Sequence, residues 1–271
     1  MSGTAAVSVL GVEGVKLRPE LFRIGPLTVH SYGFFLALAF IVGMLVSFLY
    51  LRRKFVDAYV VFELVLAAAL GGIVGARLFY VAGHWREFSP RWWEAFKFWN
   101  VQGLVFYGGF ILGILAAVAV VRLRRISVGQ VLDSGGLAVP AAMAVARVGC
   151  YLNGCCFGKS SGLPWAVTFP LRTQMEMGMP LNPVHPTQIY ELLMDLAIFI
   201  VLLAVHRRFR YRGEVMLSFI MLYAVARFVN EFFRYHTDPR GNLFFQALSA
   251  AAFLAAGLVL VFRRRILSED R

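Results

Sequence analysis

Seven apolar runs, each close to the length that crosses a bilayer, limit what this chain can fold into more than any other feature. They cover about residues 31–50, 59–82, 104–121, 131–151, 188–205, 214–234 and 244–262. A helix needs about 20 residues, at about 1.5 Å each, to cross the hydrocarbon. Composition agrees: the chain is 59% hydrophobic and 15% charged, where soluble domains average about 45–50% and about 25%. The mean hydropathy is +0.70. No polar block of domain size interrupts the pattern. The expectation is an all-α integral membrane protein, one polytopic membrane domain over residues 1–271, with seven transmembrane helices.

The basic residues orient those helices. LRRK (51–54) follows the first run, RLRR (122–125) the third, HRRFRYR (206–212) the fifth and FRRR (262–265) the seventh. Basic clusters mark cytoplasmic ends, so the N-terminus is expected outside and the C-terminus in the cytoplasm. The same distribution disposes of a nucleic-acid reading of the net charge of +12, because the charge flanks spans and forms no continuous patch. Residues 1–30 lack the pattern of a cleavable signal, which leaves the first span as the targeting signal. No internal repeat is visible, which counts against a transporter. Two outer segments exceed simple turns. Residues 83–103 carry HWREF and PRWWEAFKFW, read as an amphipathic interfacial segment or as an anchoring aromatic belt. Residues 152–187, rich in Gly and Pro, read as a small extramembrane piece with a turn or hairpin.

Ionisable groups inside spans are costly and by default mark function. Arg77, Arg147, Arg227, Glu231 and Arg234 sit late in outward-running spans, and His185 and Glu191 sit at the outer start of the fifth. Tyr223, Arg227, Glu231 and Arg234 follow helical spacing on one face, as do Gln188, Glu191 and Asp195. Interhelical ion pairs and arginines snorkelling to the headgroups are one account. Three arginines in separate outward spans, facing carboxylates, favour a polar cavity open to the outer leaflet. Arginine stays charged and matches phosphate bidentately, so a phospholipid headgroup suits that cavity. Glycines in GGIVGAR (71–77), YGGFILG (107–113) and GCYLNGCCFG (149–158) either let backbone N–H groups approach the same oxygens or let helices pack closely. For Gly113 packing is the preferred reading; for Gly108 and Gly109 both stay open.

All three cysteines, Cys150, Cys155 and Cys156, fall within one loop segment. Their spacing lacks the paired C-x2-C of common zinc sites, so no metal is assigned. An odd number leaves at least one free thiol if a disulfide forms. Small, buried loop residues are the leading reading.

In order along the chain, GPLTVHSYG (25–33), GARLFY (75–80), LVFYGGFILG (104–113), ARVGCYLNGCCFG (146–158), HPTQIYE (185–191) and YAVARFVNEFFR (223–234) resemble the bacterial prolipoprotein diacylglyceryl transferases. The resemblance covers roughly residues 20–262. It implies an inner-membrane enzyme whose active site faces the outer leaflet. Such an enzyme moves diacylglycerol from phosphatidylglycerol to the lipobox cysteine of a prolipoprotein, forming a thioether and releasing glycerol phosphate, with no cofactor. By position, Arg147 and Arg227 become the phosphate-binding arginines. Tyr32, Arg77, Asn153, Gly158, Glu191 and Glu231 match family motif positions, and His185 and Gln188 bracket the HPxQ motif. Gly108, Gly109, Tyr223 and Arg234 complete the substrate-contact set. Two positions depart from the pattern. The family's HGGL, whose histidine has been proposed as catalytic base, reads Tyr107-Gly108-Gly109-Phe110 here, and Cys150 stands where the signature loop has asparagine.

The implied chemistry sets two requirements. Fixed cations should stabilise the departing phosphate more than the ground state. The incoming thiol, with a pKa of about 8.5 in water, must lose a proton where burial opposes its charge. Tyr107 is a poor base and is expected to orient the lipid; His185 and Glu191 are the alternative bases. Two other readings stand beside this one: a paralogue acting on another lipid phosphate, and a non-catalytic lipid-binding protein.

Overall fold

The structure, a computed structural model, describes residues 17, 20–24, 27–54, 56–96, 106–238 and 240–269. Its elements in order are β1 (Glu20–Ile24), β2 (Leu27–His30), α1 (Ser31–Arg52), α2 (Ala58–Gly83), α3 (Trp85–Phe88), α4 (Phe106–Leu123), α5 (Val128–Asn153), α6 (Leu171–Met177), α7 (Thr187–Val205), α8 (Glu214–Glu231) and α9 (Arg240–Glu269). Among the described residues, five helical stretches are long and apolar enough to cross a membrane: Ser31–Arg52, Ala58–Gly83, Val128–Asn153, Thr187–Arg208 and Arg240–Arg265. Their flanks leave large apolar side chains outward, among them Leu45, Leu66, Ile200 and Leu254. Apolar surface on that scale needs a lipid solvent, so this is a multi-pass, mainly helical membrane protein. The apolar part of α4, Gly108–Leu123, is shorter, and α8 carries Glu214, Arg227 and Glu231 within 18 residues.

The helical expectation holds, and one short sheet stands beside the helices. β1 and β2 form an antiparallel hairpin just before α1, with Glu20 opposite His30 and Phe22 opposite Val29. Strands of five and four residues are too short to stand out beside apolar runs of membrane length.

The chain divides into two compact units, Met1–Gly43 with Gly136–Arg271, and Met44–Gly135. In the second unit α2 lies against α4 at glycines. A Cβ on Gly75 would stand 2.3 Å from the Gly108 carbonyl oxygen, and one on Gly108 would stand 2.5 Å from the Gly75 oxygen. One on Gly109 would stand 2.8 Å from the Gly72 oxygen. Backbones approach this closely only where side chains are missing. At the end of α2, the Arg77 guanidinium donates to the Glu94 carbonyl at 2.8 Å and lies 5.3 Å from the Phe88 ring centre. That fastens the tryptophan-rich segment, α3 and a 3-10 stretch over Ser89–Phe96, whose Trp85, Trp92 and Trp93 are exposed.

In the first unit α5 is the most enclosed of the five long stretches, with 44% of its apolar window buried. Its run GGLAVPAAMAVA (135–146) explains why. A Cβ on Gly136 would meet the Met216 backbone nitrogen at 2.8 Å, so α8 crosses almost backbone to backbone. Leu137, Ala138, Ala141 and Ala144 line the buried side. The segment after α5 forms a small body around Phe157, Phe169, Met179 and Val184. Isolated bridges pair Gly158 with Arg234 and Ser160 and Val167 with Val184. α6 ends at Gly178, which has a φ of 63°.

Candidate active site

The charged residues of α5, α7 and α8 meet at one carboxylate. Glu191 lies in the second turn of α7 and is 6% exposed. Its Oε1 accepts from Arg227 at 2.7 Å, Asn230 at 2.7 Å and Arg234 at 2.8 Å. Its Oε2 lies 2.7 Å from the Arg147 guanidinium, an ion pair without aligned hydrogen-bond geometry. Arg147 also lies 4.0 Å from Asp195, one turn further along the same α7 face. Arg227 reaches Glu231 at 3.0 Å along its own helix, and the Glu231 Oε1 is paired with His236. Asn242 of α9 donates to the Glu231 carbonyl oxygen at 2.7 Å.

The steps of three and four residues place Gln188, Glu191 and Asp195 on one buried side of α7. Arg227 and Glu231 share a side of α8 by the same rule. Arg234 arrives differently. The expected sixth span ran to residue 234, but α8 stops at Glu231, where Phe233 N–H donates to the Asn230 carbonyl at 3.0 Å. The turned chain then bridges to Gly158. Arg234 thus reaches Glu191 through a turn and not by continued helical spacing.

Three guanidiniums on one buried carboxyl make a rigid cationic set. Glu191 organises them through the hydrogen bonds on Oε1 and the ion pair on Oε2. Tyr223, one turn before Arg227, lies within electrostatic range of Arg147, Arg227, Glu191 and Asp195. Tyr32 is 43% exposed, and its Cα would stand 3.4 Å from a Cβ on Gly149, so α1 meets α5 closely just after Arg147.

The HPTQ segment does two things. Pro186 caps α7, which puts His185 outside the helix. Thr187 and Gln188, both fully buried, donate to the Cys156 and Cys155 carbonyls, each at 2.7 Å. Gln188, expected at the substrate, therefore clamps the cysteine loop with its amide nitrogen, while its Oε1 is buried without a hydrogen-bond partner. His185 Nδ1 lies 3.2 Å from the Tyr190 hydroxyl, which also accepts from the Trp165 indole N–H at 2.8 Å. Burial pulls the His185 pKa below the ordinary histidine value. Gly158 donates its N–H to the His185 carbonyl at 3.0 Å, and a Cβ there would stand 2.7 Å from both the His185 and Phe233 carbonyl oxygens. Asn153 ends α5 and interacts with Cys155.

Arg77, Gly108 and Gly109 belong to the other unit, where Arg77 contacts Glu94 and the two glycines form the α2–α4 contact. Tyr107 lies in the first turn of α4; the role expected of its side chain falls outside the described residues. Sequence reasoning missed Asn230, His236 and Asn242. The available signal was polarity inside a span: Asn230 sits three residues after Arg227 in α8 and is 0% exposed.

Known proteins are similar to this chain over most of its length. The phosphatidylglycerol–prolipoprotein diacylglyceryl transferase of Geobacter sulfurreducens is 33% identical over 267 residues, covering 92% of this chain and 96% of that one. The protein of the same name from Clostridioides difficile is 31% identical over 210 residues, 78% of this chain and 80% of that one. That from Prochlorococcus marinus is 26% identical over 274 residues, 90% of each. With the family's own model matching from residue 19 to residue 263, this chain belongs to the prolipoprotein diacylglyceryl transferase family.

Proposed function

We propose that the protein transfers the diacylglyceryl group of phosphatidylglycerol to the lipobox cysteine thiol of a prolipoprotein. The observation that carries this is the convergence of Arg147, Arg227 and Arg234 on Glu191, in a chain of this family. The thiolate attacks the terminal glycerol carbon, the C–O bond to phosphate breaks, and glycerol phosphate leaves as the thioether forms. The departing phosphate gains negative charge, so guanidiniums held in place before reaction stabilise the transition state more than the ground state. Arg147 and Arg227 bind the phosphate, with Arg234, Tyr223 and Tyr32 as further contacts. Glu191 and Glu231 hold the arginines, and no cofactor enters. Gln188, Asn153 and Gly158 shape the loop over the reacting end. Gly108 and Gly109 serve the packing of α2 on α4, and Arg77 and Tyr107 are lipid contacts of that unit.

His185 takes the thiol proton in this proposal. In that role His185 Nδ1–H donates to the Tyr190 hydroxyl oxygen, which also accepts from Trp165. The lone pair of Nε2 is then free, and the lowered pKa keeps the ring neutral.

The proposed architecture is a single membrane domain of seven spans, with the N-terminus outside and the site facing the outer leaflet of a bacterial inner membrane. α4 and α8, of 18 residues each, reach about 27 Å at 1.5 Å per residue, close to the hydrocarbon thickness. Basic clusters follow α1, α4, α7 and the main apolar part of α9.

The test is turnover by purified protein in phosphatidylglycerol liposomes with a lipobox peptide, read by mass spectrometry. A diacylglyceryl thioether, lost in Arg147→Ala, is the expected result. No product where another family member works would reject it. A product built from a different lipid phosphate would favour a paralogue of changed specificity, the reading that Tyr107 supports.

A further inference from the structure

The cysteines have a geometry that their spacing conceals. α5 ends in a Schellman turn: Cys155 N–H donates to the Cys150 carbonyl and Gly154 N–H to the Tyr151 carbonyl, both at 3.1 Å. Gly154 supplies the left-handed residue, with a φ of 74°. This turn brings the second residue beyond the helix end back beside the residue four positions before that end's glycine, here Cys155 beside Cys150. Cys156 follows with a φ of 65°, a left-handed conformation that non-glycine residues rarely adopt. Thr187 and Gln188 hold the carbonyls of Cys156 and Cys155, so the loop is fixed from α7. The result is three thiol sulfurs within 4.8 Å of one another, one on a buried residue and two on partly exposed ones.

We propose that Cys150, Cys155 and Cys156 form a trigonal thiolate site for a soft monovalent ion, copper(I). Three sulfurs at a metal–thiolate distance of about 2.3 Å lie about 4 Å from each other, so the cluster closes on an ion by a shift of under about 1 Å. Among the described residues the group holds three sulfur donors and no fourth ligand. Zinc prefers four ligands, whereas cuprous ion is selected by soft thiolates. Three thiolates outweigh one positive charge, and the surroundings answer that excess. The Arg234 and Arg147 guanidiniums lie within electrostatic range of Cys156. Binding is an exchange without redox change: three S–H bonds give up protons to solvent and three Cu–S bonds form.

The test uses the full chain, reduced and reconstituted in lipid nanodiscs, titrated anaerobically with copper(I) buffered by a chromophoric chelator. One ion per chain is expected, with X-ray absorption reporting three sulfurs at about 2.3 Å. Cys150→Ser, Cys155→Ser and Cys156→Ser should each weaken binding at least ~100-fold, beyond the usual loss for an outer-shell change. The absorption spectrum of the unaltered protein stands even if a variant fails to fold. Copper bound equally by the triple serine variant would overturn the site, and a two-sulfur spectrum would overturn its trigonal form. Tighter retention of zinc(II) than copper(I) would overturn the choice of ion. A single free thiol, showing a disulfide between the other two, would overturn the proposal altogether.

Discussion

Glu191 decides how three arginines can coexist in an apolar surrounding. Each guanidinium alone would repel the others, and the carboxylate offers Oε1 to two of them and Oε2 to the third. Removing one partner of a buried ionic set leaves charge uncompensated and costs roughly 3–5 kcal/mol. Glu191→Gln keeps the size and part of the hydrogen bonding but loses the charge. We expect a clear fall in thermal stability in nanodiscs and a turnover loss of at least ~100-fold, the scale for losing one preorganised electrostatic contact. Unchanged turnover would remove Glu191 from the machinery. His185 gives a pH signature. A base acts when unprotonated, so activity falls as pH falls through the folded-state pKa. Burial places that value below the ordinary one, which is about 6.5. The acid limb of kcat/KM should therefore lie below the usual histidine range, with a plateau at neutral pH. It should be absent from the residual activity of His185→Ala; a limb that persists there belongs to another group.

At the scale of elements, α2 and α4 depend on what their glycines lack. Gly75→Ala and Gly108→Ala would each drive a methyl to 2.3–2.5 Å from a backbone oxygen, where nothing flexible can yield. Overpacking of this kind costs typically about 1–3 kcal/mol. Gly113→Ala meets the Ala68 oxygen at 3.0 Å and should cost less. Thermal unfolding of the three variants should rank them in that order. Equal tolerance of all three, with a selective loss of lipid affinity in Gly108→Ala, would instead favour contact with lipid. For Gly108 and Gly109 the sequence left packing and lipid contact open, because both uses ask for the same missing side chain. Only the facing helix distinguishes them.

For the whole molecule, the proposed orientation is the testable quantity. Alkaline phosphatase fused after Trp165, in the small body following α5, should be active, and the same reporter after Arg265 should be inactive. A green fluorescent protein at the second position should fluoresce. The reverse pattern would overturn the reading of the basic clusters. The helices were legible from sequence because the membrane imposes length and hydropathy locally: the ends of α1, α2, α5 and α7 fall within about three residues of the apolar runs. The charged faces of α7 and α8 were legible for the same reason, since helical spacing is a local property. The hairpin before α1 was not, because short strands are defined by their partner. Nor was the turn that carries Arg234 to Glu191, nor the part played by Asn230 and His236, since these depend on which helix lies opposite. Sequence alone therefore determined a helical membrane protein, its family resemblance and the residues too costly to be idle in lipid. The tertiary structure decided which of them meet at Glu191, and that Cys150, Cys155 and Cys156 form one cluster. Such contacts join residues far apart in the chain or folded back by a turn, and no local periodicity records them.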